Sequence, residues 1–351
     1  MINSNSGPDH KLDILVTGGA GFLVKAIVRE FLDAGSPVGV RSLRILDIKD
    51  NEGSKEERIQ YLKGDICNYD DINRACQGVD LVIHTAAIVD WGTRSEAEVY
   101  ATNFIGTQHV IKACKENMVS MLVHTSSLDV VITGKPLVDI DESQPYPEKH
   151  LNMYCLSKCL SEKLVLAENG KSLKTCALRP SDIFGEDDPY HVPPLIDMAR
   201  GGFYIHIGNG TAKNQHVYVR NMAWAHVLAA RALVENNPRI LGNAYFITDG
   251  PGCNFFTFFD AIVAGSGYKI WPRNFRLPRG FAYFLGALSE YMAMLVRPIK
   301  YYNPRLSRFA VMYTSTDFTF SSQKAYLDFG FKPKYSKEEA LENSFRFFRK
   351  K

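Results

Sequence analysis

Residues Asp13 to Val24 read DILVTGGAGFLV: a short apolar run, a glycine-rich turn, and the start of a helical stretch that continues to Ala34. An almost continuous apolar run is what a strand covered on both faces requires. A glycine turn between such a strand and a helix lets backbone amides approach a pyrophosphate at the helix N-terminus. Gly18 and Gly21 fill the first two positions of a TGxxGxxG-like spacing, and Phe22 opens the helix. Val24 stands at the third position, where a glycine ordinarily allows close packing of helix on strand. The expectation is a dinucleotide site whose helix sits slightly farther out, with cofactor affinity open to question at Val24.

Outward from this stretch the same alternation repeats. Further strands are expected at 43–48, 59–62, 80–85, 121–126 and 175–180, with helices at 69–77, 96–117 and 150–169 between them. Strands alternating with helices specify βαβ units, and right-handed crossovers place every strand's C-terminal end on one edge, where ligands bind. The regularity breaks after Gly185 and resumes as strands at 217–219 and 243–248 around a helix at 223–234. The fold class is therefore α/β, a Rossmann-type doubly wound parallel sheet with a smaller C-terminal substrate-binding lobe. Residues 11–185 and 217–249 form the dinucleotide-binding domain, and residues 186–216 and 250–345 form the lobe.

Other residues then fall at the cofactor edge. Asp47 ends the second strand, and a carboxylate there suits the adenosine ribose hydroxyls and repels a 2′-phosphate, so NAD is preferred to NADP. Arg44 and Lys49 nearby weaken that exclusion somewhat. Asp65 and Ile66, after the third strand, are candidates for the adenine edge; Ala86 and Ala87, after the fourth, are small enough to lie close to the nicotinamide ribose.

Of 17 tyrosines, only Tyr154 has a lysine four residues later, Lys158. That spacing puts both on one helical face, and the fifth strand ends in His124-Thr125-Ser126-Ser127 at the same edge. Oxidising an alcohol requires a base for the hydroxyl proton as hydride leaves, and a free phenol with a pKa of about 10 is too weak a base at neutral pH. An ammonium nearby stabilises the phenolate, and a serine hydroxyl holds the substrate oxygen in line. Ser127, Tyr154 and Lys158 are thus the candidate catalytic set of a nicotinamide-dependent oxidoreductase.

The combination TGGAGF, HTAA, NFIGTQ, HTSS and YCLSK followed by LRPSDIFG resembles the extended short-chain dehydrogenase/reductase superfamily. Within it, VYVRNMAWAHVLAARAL and GNAYFITD resemble the 3β-hydroxysteroid dehydrogenase/Δ5-4 isomerase family, over Leu12 to about Phe348. The resemblance implies NAD-dependent oxidation of a 3β-hydroxyl on a small apolar steroid or sterol to the 3-ketone, with Δ5-4 isomerisation open. It gives catalytic roles to Ser127, Tyr154 and Lys158. It also gives Asn103 a supporting role that orders the Lys158 side through water, and it places Arg179 and Pro180 beside the nicotinamide. The tail around FTFFDAIVAGSGY is also similar to decarboxylating sterol-4α-carboxylate 3-dehydrogenases. A nucleotide-sugar epimerase or reductase, which uses the same trio, and a non-enzymatic NAD-binding protein stand as alternatives.

Composition is consistent with this class. With 41 basic and 38 acidic residues spread along the chain, no nucleic-acid footprint is visible. The seven cysteines form no CxxC pair and no His-containing ligand spacing, so no metal is expected and the thiols read as reduced. Met1 to Lys11 is polar and reads as a disordered lead-in and not as a signal peptide, and the reduced thiols suit a cytoplasmic location. Residues 281–296, FAYFLGALSEYMAMLV, are too short and interrupted for a membrane span, but apolar residues share one helical face between Arg276, Arg279, Arg297 and Lys300. Peripheral membrane contact from the cytosolic face and a core helix of the lobe are the two readings, and a homodimer is left open. His191, His206 and His216 are candidate acid–base groups for isomerisation.

Overall fold

The computed structural model describes residues 11–19, 21–50, 56–90, 94–273, 275–296 and 306–349. The N-terminal lead-in before Lys11, and Arg297 and Lys300, lie outside the described residues. Seven strands form the central sheet: β1 (Leu12–Thr17), β2 (Val40–Asp47), β3 (Ile59–Lys63), β4 (Leu81–His84), β5 (Met121–Thr125), β6 (Lys174–Pro180) and β7 (Asn243–Ile247). Every pair is parallel and the order is β7-β6-β5-β4-β1-β2-β3. The order reverses between β1 and β4, so the C-terminal ends of those two strands open the crevice in which a doubly wound sheet takes its ligand. β4 and β5 are buried along their whole length, as strands covered on both faces must be.

The helices include α1 (Phe22–Leu32), α2 (Tyr69–Ala75), α3 (Gly106–Glu116), α4 (Met153–Ala167), α5 (Val219–Val234), α6 (Phe255–Gly265), α7 (Arg279–Val296), α8 (Arg308–Thr314) and α9 (Lys337–Phe348). The stretch expected as one helix over 96–117 is three consecutive segments. An α-turn at Glu96–Tyr100 and α3 are joined by a π-helical stretch at Ala101–Ile105 that carries Asn103. Such widened turns frequently occur at functional sites.

The strands expected at 217–219 and 243–248 are found as His216–Tyr218 and as β7, whereas the other strands outside the central sheet are short and pair over long sequence separations, so no period announces them. Asp182–Phe184 pairs with His216–Tyr218, His206–Ile207 with Arg276–Leu277, and Leu137–Ile140 with Phe318–Phe320. The C-terminal segment packs closely on the sheet unit. Phe259, Phe329 and Ala340 share one buried cluster with Ile14 of β1 and Ile27 of α1. The buried Glu30 of α1 is held by Arg220 at 2.7 Å and Lys334 at 2.7 Å. A carboxylate taken out of water needs such partners, so this ion pair fixes the C-terminal tail to the first helix.

Candidate active site

A cleft of about 770 Å³ runs along the C-terminal edge of the sheet, from the glycine turn and Asp47 to Ser127, Tyr154 and Lys158. At one end Gly18 has φ +87, and a Cβ there would lie 2.9 Å from the Ala86 Cα. Only glycine satisfies both the backbone conformation and the close approach of β1 to β4. Gly21 precedes α1, no side chain caps that helix, and the first-turn residues Phe22 and Leu23 line the cleft. Gly19, which the spacing argument passes over, is also required: a Cβ there would meet Ile45 Cγ2 at 2.2 Å. Val24 is buried in the core cluster with Ile14, Val16 and Ile45, and it also lines the cleft.

Asp47, Asp65, Ile66, Ala86 and Ala87 all line this end. The Asp47 carboxylate accepts from the Lys49 amide at 2.8 Å. The Asp65 carboxylate is engaged in its own turn, accepting from the Cys67 amide at 2.8 Å. Of the two cations expected near the ribose, Lys49 lines the cleft, whereas Arg44 donates to the carbonyls of Ala75 and Gln77.

At the other end Tyr154 and Lys158 lie one turn apart on α4, whose N-cap Asn152 accepts from the Cys155 amide at 2.9 Å. Ser127 follows β5, and all three side chains are buried. Lys158 Nζ donates to the Thr125 carbonyl at 2.6 Å, which fixes the ammonium at the strand end. Burial pushes the Lys158 pKa down to about 8, while Glu162 pulls it up. Burial drives the Tyr154 phenol well above its usual range, the charge of Asp129 adds to the rise, and a hydrogen bond with Ser127 works against it. The protein alone therefore raises the phenol's pKa, contrary to the lowering expected from Lys158.

Asn103 sits in the π-helical stretch before α3 and is buried. Its amide donates to the Ile88 carbonyl at 3.0 Å and to Ser157 Oγ at 3.2 Å, and its oxygen accepts from the Ile88 amide at 2.7 Å. It clamps the loop after β4 against α4. Behind it runs a buried chain absent from the sequence reading: Thr17 Oγ1 to His84 Nδ1 at 2.8 Å, and His84 Nε2 to Thr107 Oγ1 at 2.9 Å. Burial lowers the His84 pKa to about 3, so the ring is neutral and joins β1 to α3 through Thr107.

One placement differs from expectation. Pro180 lines the cleft, but Arg179 does not reach it. Successive strand side chains alternate faces, and Arg179 turns away to a buried ion pair with Glu162 of α4 at 2.7 Å. Of the three histidines, His191 lines the cleft, with Nδ1 3.4 Å from Asp188. His216 is 3.6 Å from Asp182 and stacks on Phe258, and His206 pairs with Asp260 at 2.8 Å away from the cleft. Asp129, Asp182 and Tyr313, none of which carries a sequence signal, complete the wall beside Tyr154. Among the described residues no group of side chains is arranged to hold a metal ion.

The family model of the 3-beta hydroxysteroid dehydrogenase/isomerase family matches residues 15–279. A mouse sterol-4-alpha-carboxylate 3-dehydrogenase, decarboxylating, is 35% identical, covering 95% of this chain and 90% of that protein. Human 3 beta-hydroxysteroid dehydrogenase type 7 is 34% identical, covering 96% of this chain and 95% of that protein. Among solved structures, a double mutant of DesIV, a dTDP-glucose 4,6-dehydratase from Streptomyces venezuelae with NAD bound, superposes with a TM-score of 0.74. It is 20% identical and covers 96% of this chain and 97% of that one. At that identity the likeness establishes the shared fold.

Proposed function

This chain belongs to the 3-beta hydroxysteroid dehydrogenase/isomerase family, and we propose from that premise that it oxidises a 3β-hydroxyl on a sterol or steroid to the 3-ketone with NAD. One observation carries the reading: Ser127, Tyr154 and Lys158 meet at one end of a cleft whose other end is the glycine turn. The residues fit a dinucleotide. The cradle at Gly18 would be filled by a Cβ, and the uncapped amides of α1 suit a pyrophosphate. Asp47 would take the adenosine ribose, Asp65 and Ile66 the adenine edge, and Ala86, Ala87 and Pro180 would border the nicotinamide half. When bound, the nicotinamide supplies the carbon that accepts hydride and a positive charge that favours an ionised phenol. Lys158, one turn from Tyr154 on α4, would bind ribose hydroxyls. The Ser127 and Tyr154 hydroxyls orient the substrate oxygen, and the hydroxyl proton leaves through this pair.

The apolar substrate class is supported by the sterol and steroid activities in the names of the two relatives and by α7. Phe281, Phe284, Leu288, Met292 and Leu295 are all exposed on that helix, and only Ala282 and Gly286 are buried. A row of large apolar side chains facing outward, beside the exposed Arg276 and Arg279, suits a helix lying in the interface of an anionic bilayer, where such a substrate partitions. Among the described residues no helix is long and apolar enough to cross a membrane. The test is incubation with NAD and either a 3β-hydroxysteroid or a 4-carboxysterol, reading NADH absorbance and carbon dioxide release. NADH with both substrates and gas only from the second identifies the decarboxylating reading; NADH from neither refutes the proposal.

A further inference from the structure

A second cavity, of about 520 Å³, lies between the turn at 208–212, the start of α7 and the segment 315–317 that follows α8. The parallel pair His206–Ile207 and Arg276–Leu277 brings the turn and α7 together. Arg276 and Arg279 both line the cavity and are exposed, and among the described residues neither has an ion-pair or hydrogen-bond partner. Gly210, at φ +83, leaves room for the first of them. A Cβ there would lie 2.5 Å from Arg276 Cζ, so the guanidinium rests against the turn.

The opposite wall adds a third donor. Thr316 lines the cavity and is 3% exposed, and its Oγ1 is buried with no hydrogen-bond partner. Buried polar atoms are overwhelmingly paired in folded proteins, so a hydroxyl left unpaired in the wall of a cavity that holds two arginines calls for a ligand. Asn209 has its side-chain oxygen committed to the Thr211 amide at 3.0 Å and the Thr211 hydroxyl at 2.8 Å. Asp317, an acid in the same wall, accepts from the Lys213 amide at 2.7 Å, and the two guanidiniums outweigh its charge.

Pro278 and Arg279 also line the cavity, which puts the positive end of the 18-residue helix α7 at the same place. Two guanidinium forks, a hydroxyl and a helix N-terminus suit a compact anion with several acceptor oxygens. A phosphate monoester is such a group: it presents three oxygens and carries a charge of about −1.5 to −2 at pH 7.

The surroundings of the cavity indicate where that phosphate comes from. Phe275 immediately precedes Arg276 and meets Phe203, their ring centroids 5.1 Å apart, while Phe281 and Phe284 follow Arg279 on α7; all four are exposed. Exposed aromatic rings on both sides of a cationic pocket fit the headgroup layer of a membrane, where such rings settle and the phosphate is carried by the lipid. We propose that this cavity binds the phosphate-monoester headgroup of an anionic lipid, so that α7 docks on bilayers that contain such a lipid. The site rests on the α7 contact proposed above, and adds to a general attraction for negative charge the recognition of one headgroup chemistry.

The test is co-sedimentation of the full chain with phosphatidylcholine vesicles carrying either a phosphatidylinositol monophosphate or phosphatidylserine, matched in total charge. The wild type should bind the first set about tenfold more tightly, the worth of one charge-assisted contact. Arg276→Lys keeps the charge and loses the fork, and Thr316→Val keeps the shape and loses the donor. Each should erase most of the preference, leave binding to phosphatidylserine vesicles unchanged and unfold at the wild-type temperature. Equal affinity for the two vesicle sets overturns the site and leaves the α7 contact standing. A preference that survives both substitutions overturns the assignment to this cavity. If the deacylated, water-soluble headgroup binds as tightly as the vesicles, the ligand is a soluble phosphate ester and the lipid is overturned. If no vesicle of any composition is bound, the α7 contact falls and the lipid site falls with it. None of these readouts depends on oxidation of a sterol.

Discussion

Replacing Arg179 by Met tests the placement that separates this structure most sharply from expectation. The guanidinium donates to Glu162 from Nε at 2.9 and 3.2 Å and from Nη2 at 2.7 Å, with the two side chains 4% and 0% exposed. Arg179→Met leaves the Glu162 carboxylate buried with Tyr146, which donates to it at 2.6 Å, as its remaining partner. Breaking one side of a buried pair costs about 3–5 kcal/mol, because the loss is the desolvation of the orphaned charge more than the attraction itself. Measured by urea unfolding, the variant should lose that much of a total in the range of about 5–15 kcal/mol. Arg179→Met combined with Glu162→Leu should recover most of the loss, since two apolar side chains leave no charge unpaired. The KM for NAD of the folded variant should be unchanged. A single variant that keeps its stability within about 0.5 kcal/mol while its KM for NAD rises tenfold would place Arg179 in the cofactor site and refute the reasoning.

Other perturbations separate the remaining roles. Gly18→Ala forces a side chain to 2.9 Å from Ala86 at φ +87, so NAD affinity measured by NADH fluorescence should fall at least tenfold, whereas Val24→Gly should tighten it. Tyr154→Phe should lower kcat by about 10²–10⁴ with NAD affinity retained, and an active variant would favour a binding-only protein. His84 is held neutral with a folded pKa of about 3 against 6.5 for the free ring. The unfolded chain therefore takes up the proton first, and stability is lost as pH falls from 6.5 towards 3, by up to about 4 kcal/mol. Urea titrations at successive pH values should show that slope, and His84→Gln should flatten it. Phe284→Glu with Leu288→Glu on α7 should abolish co-sedimentation with anionic vesicles and leave oxidation of a detergent-dispersed substrate intact. Vesicle binding that persists would remove α7 as the contact.

Legibility in the sequence followed the range of the interactions. Most of the sheet strands were visible because they are near-continuous apolar runs, a pattern that burial on both faces imposes locally, as in β4 and β5. Gly18, Gly21, Ser127, Tyr154 and Lys158 were visible because turn chemistry and helical spacing act within a few residues. Gly19 was passed over because its need comes from Ile45, on another strand. The short strands at 206–207, 276–277 and 318–320 left no period to read. Leu137–Ile140 and Phe318–Phe320 meet only because the chain returns across the molecule.

The sequence by itself determined a doubly wound dinucleotide fold and a Ser–Tyr–Lys set at its ligand edge, since both rest on local patterning and fixed spacings. Tertiary structure alone decided which way side chains of the right type point and what charge surrounds them. Strand alternation turned Arg179 from the cofactor to Glu162. The meeting of elements far apart in sequence put Asp129, Asp182 and Tyr313 around Tyr154. Burial and neighbouring charge are properties of that assembly, and with them the proton chemistry of the site.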